Sequence, residues 1–74
     1  MWKYNSPIGP IYIQYIPNER QYGMFFKGIC WESCDSPEAE ASNVFMQCTG
    51  CPEWDVFDAS NTIVPNDLSQ WEHS

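Results

Sequence analysis

Four thiols, one imidazole and a run of carboxylates are what this chain offers for chemistry. Cys30, Cys34, Cys48 and Cys51 read as C-x3-C-x13-C-x2-C. That pattern invites zinc, and Cys48-Thr49-Gly50-Cys51-Pro52 alone looks like half of a structural site. The other half does not fit. If residues 29–33 form a strand, Cys30 and Cys34 lie about 13 Å apart at ~3.3 Å per residue. Thiolates on one zinc sit within roughly 4 Å of one another. A helix between Pro37 and Gln47 also separates Cys34 from Cys48 by about 16 Å at ~1.5 Å per residue. The spacing points to four small, buried or half-buried free thiols and to no metal or cofactor. In an oxidising setting a disulfide from Cys30 to Cys48 or Cys51 is the alternative.

Catalytic constellations are thinner. The one histidine, His73, is next to the end of the chain, where fraying is expected. Cys34 or Cys51 as a nucleophile lacks a histidine and nearby positive charge, and carboxylates raise a thiol's pKa. No phosphate loop or nucleophile elbow is present. Glu38/Glu40 and Glu53/Asp55 are two apart, so on a helix each pair splits to different faces. The chain reads as non-enzymatic.

The charge distribution is more informative. Glu32, Asp35, Glu38, Glu40, Glu53, Asp55, Asp58, Asp67 and Glu72 all follow Gly28, with no lysine or arginine among them. Lys3, Arg20 and Lys27 precede it, together with Glu19. The net charge of −7 is therefore set by the last two thirds of the chain. Such a field repels nucleic acid and anionic lipid and attracts basic protein surfaces. Tyr12, Tyr15, Phe25, Phe26 and Trp31 could otherwise suggest a base-stacking platform, but they lack the basic surroundings it needs.

These side chains must be positioned by one small domain, residues 1–74. Hydrophobic residues make up 43%, too many for a disordered acidic tail. Residues 1–7 lack the apolar run of a signal peptide and no segment is long enough to cross a bilayer, so the cytoplasm is the expected compartment. Pro7 and Pro10 bracket an opening turn. The β-branched and aromatic runs 11–16, 22–27 and 29–33 predict a three-stranded antiparallel sheet, with a possible bulge at Gly23 and a tight hairpin at Lys27-Gly28. Ser36-Pro37-Glu38 is a helix start: hydroxyl cap, proline at the first position, acid in the first turn. Ala41, Val44, Phe45 and Cys48 then form an apolar stripe, and Gly50 with Pro52 ends the helix, predicted over 37–48. Trp54 and Phe57 are expected to close one end of the core. Leu68 and Trp71 are expected to pin a short C-terminal turn of helix. The fold class is α+β, with the helix packed on one sheet face.

Four short segments resemble a small uncharacterised family of bacterial proteins: Ser6-Pro7-Ile8-Gly9, Ser36-Pro37-Glu38, Thr49-Gly50-Cys51-Pro52-Glu53-Trp54-Asp55 and Pro65-Asn66-Asp67-Leu68-Ser69-Gln70-Trp71-Glu72. The resemblance implies a compact single domain and brings no function. The three-strand-then-helix order is also similar to DNA-binding modules of the integrase-arm type, but the strands lack the basic residues that would meet phosphates. In being small, acidic and aromatic-rich, the chain is similar in character to phage-encoded inhibitors, anti-CRISPR proteins included, several of which mimic DNA. That likeness implies a partner with a basic, nucleic-acid-gripping surface. Glu32, Asp35, Glu38, Glu40, Glu53, Asp55 and Asp58 are then the expected contact residues. A scaffold or interaction domain whose acids only solubilise, or a zinc-stabilised domain, are the rival readings.

Overall fold

The computed structural model describes all 74 residues and places a helix on one face of a five-stranded antiparallel sheet. In chain order the elements are β1 (Trp2–Ser6), β2 (Gly9–Ile16), β3 (Gln21–Phe26), β4 (Ile29–Cys34), α1 (Pro37–Phe45), α2 (Pro52–Asp55), a 3₁₀ turn (Leu68–Gln70) and β5 (Glu72–His73). The spatial order is β4-β3-β2-β1-β5. The α+β class and the strands β2, β3 and β4 are those expected from sequence. Two strands are additional. β1 shows a period-two pattern, Trp2, Tyr4 and Ser6 sharing one face with Ile11 and Ile13 through the pairs Trp2↔Ile13 and Tyr4↔Ile11. Pro7 and Ile8 are thus the loop of a hairpin, not a turn that opens the fold.

β5 corrects the expected fraying at His73. Its pairing with β1 (Trp2↔His73) brings the imidazole flat against Trp2, ring centroids 4.3 Å apart. The terminal ammonium of Met1 also donates to the Ser74 carbonyl at 2.9 Å. The C-terminus is tied by ladder bonds and stacking.

Lys27 and Gly28 both have positive φ (53° and 77°), the geometry of a two-residue turn that matches strand twist. The bulge is not at Gly23. It lies across the ladder on β4, where Phe25 pairs with Cys30 and Met24 already with Glu32, leaving Trp31 as the extra residue. Gly23 is required for a different reason. A Cβ there would come within 2.7–2.9 Å of Ile16, Cys30 and Phe25 side-chain atoms.

The core lies between the sheet and α1: Ile11, Ile13, Met24 and Phe26 from the strands, Ala41 and Val44 from the helix, then Cys51, Trp54 and Trp71. Ser36 caps α1 by accepting from the Ala39 amide at 3.1 Å, with Pro37 at the first position. The helix stops at Phe45, short of the predicted 48, because Gln47 turns left-handed (φ 54°). Its side-chain amide donates to the carbonyls of Trp54 and Phe57 at 2.8 and 2.6 Å. The buried stripe is therefore shifted from the predicted one. Glu40, Ala41 and Val44 are the buried residues of α1, whereas Phe45 is 47% exposed and Cys48 is exposed. Trp54 and Phe57 close one end of the core as expected, stacked at 5.7 Å, and Leu68 with Trp71 packs the 3₁₀ turn against it. No helix is long and apolar enough to cross a membrane.

Candidate functional site

The bulge at Trp31 decides which way the chemistry points. Without it, simple alternation along β4 would send Trp31 and Ser33 to the helix side and Glu32 and Cys34 to the other. The extra residue shifts the phase, so Glu32 pairs beside Met24 and Cys34 beside Tyr22, on the face that α1 covers. α1 brings Glu40 down onto them. One donor atom from each of Glu32, Cys34 and Glu40 lies within 4.8 Å of the others. Asn43, one helical turn beyond Glu40, completes the group. Its Nδ2 donates to Glu32 Oε1 at 2.8 Å and to Cys34 Sγ at 3.4 Å.

Glu40 is 0% exposed, and neither of its carboxyl oxygens has a hydrogen-bond partner. No cation compensates it, since the protein's one ion pair joins Lys27 to Glu53 at 3.1 Å on the exposed surface. Burial, then the neighbouring Glu32 carboxylate, pushes the Glu40 carboxyl up to about 9. Burial, then Glu40 and Glu32, pushes the Cys34 thiol up to about 12. An isolated buried carboxylate is strongly disfavoured, so Glu40 is held neutral or must meet a cation.

The expected contact carboxylates fall into three groups. Glu40 is a correction: it is buried and cannot touch a partner surface. Asp55 and Asp58 are engaged by their own chain. The half-buried Asp55 carboxylate accepts from the Thr49 amide at 3.0 Å, the Thr49 hydroxyl at 2.8 Å and the Gly50 amide at 2.8 Å. It pins the loop between α1 and α2. Asp58 accepts from the Ser60 amide at 3.0 Å, which holds its carboxyl below the usual range. Glu53 faces solvent but meets Lys27.

Asp35, Glu38 and the rim of Glu32 form the third group, at the corner where β4 enters α1. The fold adds a residue there that the linear charge pattern hid. Glu19, in the β2–β3 turn, accepts from Ser33 Oγ at 3.4 Å, while Gln21 bridges to Asp35 at 3.2 Å and to Ser33 at 2.7 Å. Glu19 and Asp35 are thus tied together through Ser33 and Gln21, with the exposed Glu38 three residues further on in the first turn of α1.

The thiols do not converge. Cys30 lies on the uncovered sheet face beside Gly23, and Cys34 on the covered one. All four are free, but only Cys34 and Cys51 are half-buried or buried; Cys30 and Cys48 are exposed, a correction to the expected burial, because Cys30 stands on the uncovered sheet face and Cys48 follows the end of α1. The signal for the Glu32–Cys34–Glu40 cluster was a glutamate at an apolar-stripe position of α1. The phase shift in β4 had no sequence signal of its own.

Asp55→Ala is expected to cost about 2–3 kcal/mol, since it leaves Thr49 and Gly50 donors of a partly buried loop unmatched. Urea unfolding checks this; a loss below ~0.5 kcal/mol would mean that water replaces the carboxylate. Comparison with family models, curated proteins and solved structures returned no match, so the site rests on the chain's own geometry.

Proposed function

We propose that this chain is a non-enzymatic protein-binding module whose acidic corner occupies a basic, nucleic-acid-gripping surface, in the manner of phage or mobile-element inhibitors that mimic DNA. The observation that carries the reading is Glu19 and Asp35 held together through Ser33 and Gln21, with the exposed Glu38 close by in sequence in the capped first turn of α1. Carboxylates on a preorganised body place negative charge where a groove lined by lysine and arginine expects phosphates. The thiols, none of them paired with a cation, and the tethered histidine support binding over catalysis.

Association steered by such a patch accelerates at low ionic strength and loses that advantage as screening shortens the field to ~8 Å in physiological salt. Immobilised protein in a low-salt host lysate is expected to retain nucleic-acid-binding proteins that salt and added duplex DNA release. The double reversal Asp35→Lys/Glu38→Lys is expected to slow association at least tenfold while leaving the thermal midpoint close to wild type, because both residues are exposed. Retention that ignores salt, DNA and the double reversal would contradict the reading and favour a scaffold domain with apolar contacts.

A further inference from the structure

We propose that Glu32, Cys34 and Glu40 bind one zinc ion, with Asn43 orienting two of the three ligands. The cluster does not depend on acidic character alone. Glu40 is a fully buried carboxyl with both oxygens unpartnered, aimed at a carboxylate and a thiol whose donor atoms lie within 4.8 Å. On a tetrahedral zinc with Zn–S near 2.3 Å and Zn–O near 2.1 Å, ligand atoms stand about 3.5 Å apart. Closing the present triangle from 4.8 Å needs shifts of about an ångström.

The donor set selects the metal class. Calcium and magnesium take six or more oxygen ligands and have no use for sulfur. One thiolate with two carboxylate oxygens suits a borderline, geometrically undemanding divalent ion such as Zn²⁺. Three protein ligands leave a fourth position, and the half-exposed Glu32 and Cys34 turn it toward solvent, where water supplies the ligand. Asn43 has the role that outer partners have in metal sites. Its amide nitrogen donates to Glu32 Oε1 and Cys34 Sγ together, fixing both acceptors without competing for the ion. Binding releases the Cys34 thiol proton and the Glu40 carboxyl proton to solvent, so two protons leave as one divalent ion arrives.

This site is separate from the C-x3-C-x13-C-x2-C arrangement and shares only Cys34 with it. It also goes beyond the binding reading above, which stands or falls with the exposed Glu19, Asp35 and Glu38 and is tested by salt and DNA competition.

The test is a zinc titration of reduced, chelator-stripped protein, followed by calorimetry and by thermal midpoint. One Zn²⁺ per chain is expected, with a rise in midpoint. Cys34→Ser and Glu40→Gln are each expected to weaken binding more than tenfold, and Asn43→Leu by about tenfold. Cys48→Ser and Cys30→Ser should bind as wild type does. Glu40→Gln keeps the side-chain volume and removes a buried ionisable group, so it is expected to fold. Should it not, Co²⁺ substitution gives a second readout: thiolate-to-cobalt absorption present in wild type and absent in Cys34→Ser. Absence of stoichiometric zinc binding by folded wild type would overturn the proposal. So would binding that survives Glu40→Gln and Cys34→Ser but is lost with Cys48→Ser, which would relocate the ion to the Cys48–Cys51 pair.

Discussion

Kept free of metal by chelator, the protein is expected to lose stability continuously as pH rises from about 5 to 9, and Glu40→Gln to remove most of that slope. The folded state raises the Glu40 carboxyl from 4.5 to about 9. Between those values the native protein holds a proton that the unfolded chain has given up. Stability is therefore complete below the unfolded value and declines as pH climbs toward the folded one. At ~1.4 kcal/mol per pKa unit the total effect is on the order of several kcal/mol. A chain of this length has about 4–11 kcal/mol of stability in all, so the metal-free protein should be close to unfolding near pH 9. Cys34, moved from 9.0 to about 12, extends the decline above pH 9 with the same sign. Urea unfolding of wild type and Glu40→Gln at pH 5, 7 and 9 reads this directly. Equal slopes in the two proteins would show that Glu40 ionises in place without penalty.

Trp54→Ala is expected to unfold the domain. Trp54 is 0% exposed, donates its indole N–H to the Val44 carbonyl at 2.8 Å, and packs Tyr4 edge-on at 6.0 Å and Phe57 face-on at 5.7 Å. It joins the end of α1, α2 and the first strand in one contact. Removing a buried tryptophan costs about 3–5 kcal/mol, comparable to everything that holds a chain this small together. Trp54→Phe keeps most of the apolar area and loses the hydrogen bond, so it should fold with a loss of about 1–2 kcal/mol. Circular dichroism melts separate the pair. A cooperative transition in Trp54→Ala near the wild-type midpoint would mean that the core lies elsewhere.

The fold was legible where local chemistry and tertiary packing agree. Ser36-Pro37-Glu38 signals a cap, and a cap is what forms. Lys27-Gly28 signals a two-residue turn, and the ladder closes around it. β1 was missed although Trp2, Tyr4 and Ser6 alternate with Lys3 and Asn5, because a polar five-residue strand needs β2 to be recognised as one. β5 is only two residues long, and its pairing exists because the chain returns past Trp2. The helix stripe was misphased by one turn for an instructive reason. Ala41 and Val44 belong to it either way, and hydrophobicity favours Phe45 and Cys48 over Glu40 as their companions. Gln47 overrides that by leaving the helix to bind the carbonyls of Trp54 and Phe57.

The site was legible only in part. Asp35 and Glu38 are exposed as read from their place at the helix start. Glu53 and Asp58 also face solvent, yet one meets Lys27 and the other turns back on Ser60. Glu40 is buried by the face that α1 turns to the sheet, and the Glu32 and Cys34 it meets are brought there by a one-residue insertion in β4, which alternation along the sequence cannot foresee. Glu19 joins the acidic corner through a turn that folds it beside Ser33, and Asp55 is withdrawn by two amides and a hydroxyl six or fewer residues away.

The Trp31 bulge delivers Glu32 and Cys34 to a buried Glu40. Carbon-13 titration of the Glu40 carboxyl carbon tests that meeting at one atom. In metal-free protein at pH 7 that carbon is expected to show the protonated shift, and one equivalent of zinc at the same pH is expected to move it to the ionised, ligated value. A Glu40 carboxyl already ionised at pH 6 without metal, and indifferent to zinc, would contradict the account.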